Sequence, residues 1–267
     1  MRGDRSPWGE SHGIPVEKLQ LLPRILVTLG DPAGIGSELV AKLLARPAET
    51  RNARIVVLAD KAEFENGAVV AGIDLDFVEI ESAEEIEAAF EDDARVILLH
   101  RPLGGDGPIA RAQVSERSGK AALAHLTEAV ALVRSGHADA LLYAPLNKAS
   151  LKAASLRYLD EAHFFAETLG HDTYFGEVSI LDHLCTTRVT SHIGLREVAD
   201  RITIEAVADA IGLADRTLRL FGRQPSRLAV CGLNPHAGDA GALGREEIEI
   251  IAPAIARMRE AGVAVGR

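Results

Sequence analysis

Three side chains, His236, His192 and Lys148, stand where an alternating strand and helix chain places its chemistry. The stretch Cys231-Gly232-Leu233-Asn234-Pro235-His236-Ala237-Gly238 follows Arg227-Leu228-Ala229-Val230, an apolar run that reads as a buried strand. Open α/β sheets bind ligands at the carboxyl ends of their strands, so His236 is placed as a ligand or catalytic group would be. A loop histidine that hydrogen-bonds its own turn would have the same sequence. Thr187 to Ile193 reads as a second strand, with His192 at its end. Neutral imidazoles suit zinc and similar metals, and two at strand exits are candidates for one shared ion. Their long separation is no signature, unlike that of zinc fingers or HExxH sites. Lys148 closes Ala144-Pro145-Leu146-Asn147-Lys148, a polar exit from a strand into a helix. Helix starts favour acids, so a lysine there points to an anion or a proton transfer, or is a solvated surface residue.

The elements that must position these groups alternate along the chain. Arg24 to Leu29 is a short, continuous apolar run, as in a strand buried on both faces, and Arg54 to Ala59, Val96 to Leu99 and Ala138 to Tyr143 also read as strands. Leu75 to Ile80 alternates like an edge strand. Between them the patterns predict helices near Ser37 to Leu44, with Leu39, Val40, Leu43 and Leu44 on one side, and over Lys61 to Ala71, Ser82 to Phe90 and Ser115 to Ser135. Further helices are expected over Leu159 to Glu167, Ile202 to Phe221 and Glu247 to Gly262. Ser82-Ala83-Glu84-Glu85 is a capping-type start, and Gly136 closes the long helix. His125, on that helix, is assigned no role. This order predicts a mainly parallel sheet with helices on both faces and strand exits along one edge. The turns at Asp31, Asn147, His192 and His236 could then gather in one cleft.

Gly30-Asp31-Pro32-Ala33-Gly34-Ile35-Gly36-Ser37-Glu38, after the first strand, is a Gly-rich turn opening a helix, an arrangement that favours anions. It is not a Walker A loop, and Leu39 occupies the third glycine position of a GxGxxG pattern. A tight turn that needs glycine for its backbone angles explains it as well.

Of the 267 residues, 47% are hydrophobic and 25% charged, enough for a full core in one large domain or two small ones. The net charge of −10 argues against nucleic acid or an anionic membrane as partner. Two cysteines outside any CxxC pair fit a reduced cytoplasm. No apolar run approaches a membrane span. Residues 1–23 are polar, lack a signal h-region and read as a flexible extension.

Leu29 to Glu38, Thr190-Ser191-His192-Ile193-Gly194-Leu195-Arg196-Glu197 and Cys231 to Gly238 occur in this order. Together they resemble the 4-hydroxythreonine-4-phosphate dehydrogenase (PdxA) family of vitamin B6 biosynthesis, from about Arg24 to the chain end. The resemblance implies an α/β fold like that of isocitrate and isopropylmalate dehydrogenases, with two interleaved subdomains over 24–267. It implies NAD-dependent oxidation of a secondary alcohol beside a divalent metal (zinc, magnesium or cobalt), decarboxylation in many members, and a homodimer with the site at the subunit interface. The family's metal histidines fall on His192 and His236, and its turn lysine on Lys148, as a proton donor or an anchor for the substrate's acidic group. Asn147, Glu161 and His163 are the expected substrate contacts.

Two departures accompany the likeness. Family members carry Gly-His-Thr-Glu, whose His and Thr hold the phosphorylated substrate, where this chain has Asp160-Glu161-Ala162-His163. Glu161 would repel a phosphate but could accept hydrogen bonds from a hydroxylated substrate, a four-carbon sugar acid or a cyclic diol acid. His163, slightly displaced, could substitute in part. The family's Tyr-His-Asp-Gln-Gly segment, with a third metal histidine, is not found before Arg267, so the expectation is a divergent, C-terminally incomplete member. The alternative is a non-catalytic remnant that binds a small anion or only dimerises.

Overall fold

The computed structural model describes residues 22–91, 95–105, 107–154, 161–181, 184–222 and 227–266. Residues 1–21, nearly all of the expected extension, lie outside them, as do Leu159 and Asp160. The chain divides into two compact units, one running to His171 and the other beginning at Asp172.

The unit ending at His171 contains β1 (Arg24–Thr28), α1 (Gly36–Leu44), α2 (Pro47–Thr50), β2 (Arg54–Ala59), α3 (Lys61–Ala71), β3 (Val78–Ile80), α4 (Ile86–Glu91), β4 (Val96–His100), α5 (Glu116–Arg134), β5 (Ala140–Tyr143), α6 (Lys148–Ala153) and α7 (Glu161–Leu169). The five strands form one parallel sheet in the order β3-β4-β2-β1-β5. Alternate side chains of each strand face opposite ways. Leu26, Val56, Leu58, Ile97 and Leu99 pack with Ile86 and Phe90 of α4 and Ala129 and Leu132 of α5. Val27, Ile55, Val57 and Leu98 pack on the other face with Val40 and Leu44 of α1 and Phe64 of α3. Both faces of β1, β2 and β4 are therefore covered, which is why these three read as unbroken apolar runs, whereas the outer strand β5 is largely exposed.

Local chemistry fixes the helix ends. Asp60 caps α3 through its side chain, Ser115 caps α5 and Asn147 caps α6. The Glu85 carboxylate accepts a hydrogen bond from the Ser82 N–H at 2.8 Å, as the capping-type sequence predicts. Two expectations need correction. In α1, Leu39 is exposed, and the buried stripe is Val40, Ala41 and Leu44. The edge strand is only the three residues of β3, because pairing with β4 begins at Val78.

The unit beginning at Asp172 holds β6 (Val178–Leu181), β7 (Leu184–Thr187), α8 (Val198–Arg201), α9 (Ile204–Leu220), β8 (Leu228–Ala229), α10 (Ala252–Glu260) and β9 (Val265–Gly266). Its core joins Val207 and Ile211 of α9 to Ile251, Ala254, Ile255, Val263 and Val265. β6 and β7 pair antiparallel, and β8 pairs parallel with β9. The run Arg227 to Val230 is thus not a buried strand: only Leu228 and Ala229 pair, and Ala229 is exposed. The expected strand Thr187 to Ile193 is absent as well. β7 ends at Thr187, opposite Val178, the first residue of its antiparallel partner β6, and His192 lies beyond in irregular chain with φ 56°. No helix among the described residues is long and apolar enough to cross a membrane.

Candidate active site

Adjacent strands whose exits turn to opposite faces of a sheet open a crevice between them. β1 leads to α1 on one face. β5 leads to α6, which packs on α5 across the other. The crevice between β1 and β5 holds a cavity of about 300 Å³ lined by Asp31, Gly34, Gln113, Val114, Pro145 and Asn147. The same rule opens a second crevice between β2, which leads to α3, and β4, which leads to α5. There a cavity of about 760 Å³ is lined by Asp60, Glu63, Asn66, Arg111 and Arg117.

Asp31 is buried in the first crevice, and its Oδ1 accepts from the Ala33 N–H at 2.7 Å and from the Ser118 hydroxyl. The Asp31 N–H donates to the Pro145 carbonyl at 3.0 Å, tying the exits of β1 and β5 together. Gly30, at φ 70°, makes that approach possible, since a Cβ there would sit 2.4 Å from the carbonyl oxygens of Ala144 and Pro145. The turn Gly30 to Gly36 is therefore shaped by close packing as well as by its glycines.

Asn147 spends its Oδ1 on the N–H groups of Ala149 at 3.0 Å and Ser150 at 3.2 Å, so its carbonyl is structural. Lys148, the first residue of α6, is exposed. Phe165 of α7 packs on Tyr143, the last residue of β5, with ring centroids 5.4 Å apart. This contact brings α7, with Glu161 half-buried and His163 exposed, to the carboxyl edge of β5.

His192 and His236 belong to the other unit, and both are exposed. Each is tied to left-handed backbone: His192 itself, and Ala237, Gly238, Asp239 and Ala240 after His236, with φ of 50, 73, 46 and 53°. The His236 turn is held from within by Asn234, whose Oδ1 accepts from the His236 N–H at 3.1 Å and the Gly238 N–H at 3.4 Å. It is held from below by Glu247, buried at the start of a π-helix over Glu247–Ile251, whose Oε1 accepts from the Leu233 N–H at 3.0 Å. Neither imidazole has a hydrogen-bond partner among the described residues. An imidazole not otherwise engaged is a suitable donor to a divalent metal. A cluster of three His, Cys, Asp or Glu residues able to hold an ion is not found among the described residues.

The sequence reading missed Ser118, Arg111 and Glu247. The Arg111 guanidinium donates to the carbonyls of Pro32 at 2.7 Å and Gly34 at 3.2 Å, bracing the turn after β1. Spacing gives no sign of these partners, because all act across long sequence separations.

The family model of pyridoxal phosphate biosynthetic protein PdxA matches residues 51–266. A Pseudomonas aeruginosa protein provisionally named 4-hydroxythreonine-4-phosphate dehydrogenase 2 is 46% identical over 91% of this chain and 71% of its own length. The D-threonate 4-phosphate dehydrogenase of Bordetella bronchiseptica is 33% identical over 91% of this chain and 68% of its own. The crystal structure of 4-hydroxythreonine-4-phosphate dehydrogenase from Klebsiella pneumoniae superposes with a TM-score of 0.80 at 31% identity, covering 94% of this chain and 74% of that one. With its parallel central sheet and the expected motifs in order, the chain belongs to the PdxA family and is, by that membership, an enzyme of the dehydrogenase class.

Proposed function

We propose that this chain oxidises the secondary alcohol of a small four-carbon hydroxy acid, with NAD as hydride acceptor and a divalent metal held in part by His192 and His236. The observation that carries this reading is the match, over nine-tenths of the chain, to dehydrogenases named for two four-carbon acids. Both named substrates have a carboxylate at one end, a phosphate at the other and an alcohol between.

NAD and the cation, when bound, supply hydride acceptance and Lewis acidity toward the alcohol oxygen. The chain's own residues bind, orient and move protons. His192 and His236 offer their rings as ligands. Lys148 either anchors the acidic end of the substrate or returns a proton to carbon after carbon dioxide leaves. The amide nitrogen of Asn147 is the part of that side chain left to donate to a substrate oxygen. The working form is a homodimer in the cytoplasm.

Glu161 sets the substrate's other end. A carboxylate beside a phosphate is repelled by an amount on the order of a few kcal/mol near a protein surface. It accepts hydrogen bonds from hydroxyl groups instead, so the substrate class is the unphosphorylated acid. The test follows NADH absorbance with zinc, magnesium or cobalt and with threonate and 4-hydroxythreonine, each free and as the 4-phosphate. Turnover is expected with a free acid, and Glu161→His is expected to shift preference toward the ester. Preference for the ester in the unaltered chain, untouched by Glu161→His, would sink the substrate assignment. No NADH from any of the four would sink the wider reading.

A further inference from the structure

The segment after His236 is unusual in its backbone. Four successive residues, Ala237 to Ala240, lie in the left-handed region, and three of them carry a Cβ. Such residues ordinarily occur singly, and each non-glycine costs roughly 1–2 kcal/mol. A run of this kind persists only where its surroundings over-determine it.

Glu247 supplies that constraint. It is 2% exposed, and its carboxylate lies under the turn with Oε1 on the Leu233 N–H. Oε2 is buried with no hydrogen-bond partner among the described residues. Oε2 also lies against Gly238: a Cβ there would sit 2.8 Å from it and 2.7 Å from the Gly244 carbonyl oxygen. A buried acceptor left without a donor costs about 1–3 kcal/mol, a penalty that a leucine of similar size would avoid. The residue also stands at the first position of a π-helix, a distortion found frequently at functional sites.

We infer that Glu247 is a positioning residue: it clamps the Leu233–Gly238 turn and so holds the His236 imidazole ready for a cation. The inference rests on the reading of His236 as a metal ligand. Groups that orient a metal's ligands typically contribute about 10- to 100-fold to metal affinity.

The experiment titrates Co²⁺ alone into the full chain by calorimetry, at a temperature where circular dichroism shows each variant folded. It also follows amide hydrogen exchange at Leu233. Glu247→Leu is expected to weaken Co²⁺ binding by about 10- to 100-fold and to speed Leu233 exchange. Glu247→Gln, whose amide carbonyl still accepts from Leu233, is expected to restore both. A clamp of purely structural importance would lower the melting temperature without moving the affinity of the folded chain. Unchanged affinity in Glu247→Leu, while His236→Ala loses binding, overturns the inference. If His236→Ala also binds normally, the ligand reading fails, and Leu233 exchange alone decides: faster exchange in Glu247→Leu upholds the clamp, and unchanged exchange overturns it. Should Glu247→Leu not fold, Gly238→Ala takes its place. That variant keeps the carboxylate but pushes a methyl onto Oε2. It must weaken Co²⁺ binding by about tenfold or more, and normal binding overturns the inference.

Discussion

Arg111 Nη1 lies 2.8 Å from Glu63 Oε1, and Nη2 donates to Glu63 Oε2 at 3.1 Å. The same guanidinium donates to the carbonyls of Pro32 and Gly34. One side chain of the loop after β4 thus fastens the turn after β1 to α3, and it stands between the two crevices of the sheet. The neighbouring Ala112 N–H adds a bond to the Ala33 carbonyl at 2.8 Å. Arg111→Met removes the fork and leaves the Glu63 carboxylate facing no cation. Denaturant unfolding should show a loss of about 1–3 kcal/mol. Arg111→Lys should recover only part of it, because an ammonium cannot reproduce the planar fork. Full recovery by lysine would show that charge alone matters.

Glu63 makes the fold sensitive to pH. Burial raises its carboxyl above the ordinary value, and the Ser37 and Arg111 contacts lower it by less. The folded chain therefore keeps this proton to a higher pH than the unfolded chain does. Between the ordinary carboxylate range and the raised folded value, the native state binds more protons, so stability falls as pH rises. Glu63→Gln lacks the titration. Melting temperatures from pH 4 to 7 should show the unaltered chain losing stability relative to Glu63→Gln. A relative gain over that range would mean that the ion pair outweighs burial.

The parallel sheet is legible in the sequence because both its faces are covered, so β1, β2 and β4 advertise themselves as unbroken apolar runs. The same cue misleads at Arg227 to Val230, where only two residues pair, with β9 alone, and of the two Leu228 is half-buried and Ala229 exposed. It misleads again at Thr187 to Ile193, whose β-branched residues outlast the partner strand that would pair with them. Asn147 is legible as a polar strand exit, but not as a helix cap with its carbonyl committed. Arg111, Ser118 and Glu247 leave no local trace, since each acts on a backbone group or carboxylate brought near only by folding. Motif order, in contrast, identifies the family without any of this geometry.

His125 is a packed core residue. It is buried, and its Nε2 has no hydrogen-bond partner among the described residues. Burial lowers its affinity for a proton, with backbone contacts at Arg101 and Pro102 pulling the other way. The unfolded chain takes up a proton near the ordinary histidine value, and the folded chain resists it. Stability contributed by this residue is therefore present above that value and is lost as pH falls toward the lowered folded one. His125→Leu should flatten the decline of melting temperature between about pH 6.5 and 5, relative to the unaltered chain. An equally steep decline in the variant would assign the acid sensitivity to other groups.

Gly119 sets the spacing of α5 and α6, and through it the seat of Asn147, the α6 cap that lines the β1/β5 crevice. A Cβ at this position would sit 2.0 Å from the Ser150 carbonyl oxygen and 2.8 Å from the Ala154 Cβ. The obstacle at Ser150 is backbone, so relief requires α6 to move away from α5. Its amino end carries Asn147 and Lys148, and Ser118, the preceding residue of α5, holds the Asp31 carboxylate. Gly119→Ala should therefore act twice. Overpacking should cost about 1–3 kcal/mol in denaturant unfolding, and displacement of the Lys148 turn should lower kcat/KM even in protein that remains folded. Ser118→Ala is the companion variant: it removes one donor from Asp31 without pushing the helices apart, and should cost about 1 kcal/mol. If Gly119→Ala lost stability but kept full kcat/KM, the seating of α6 on α5 would have no part in placing Lys148.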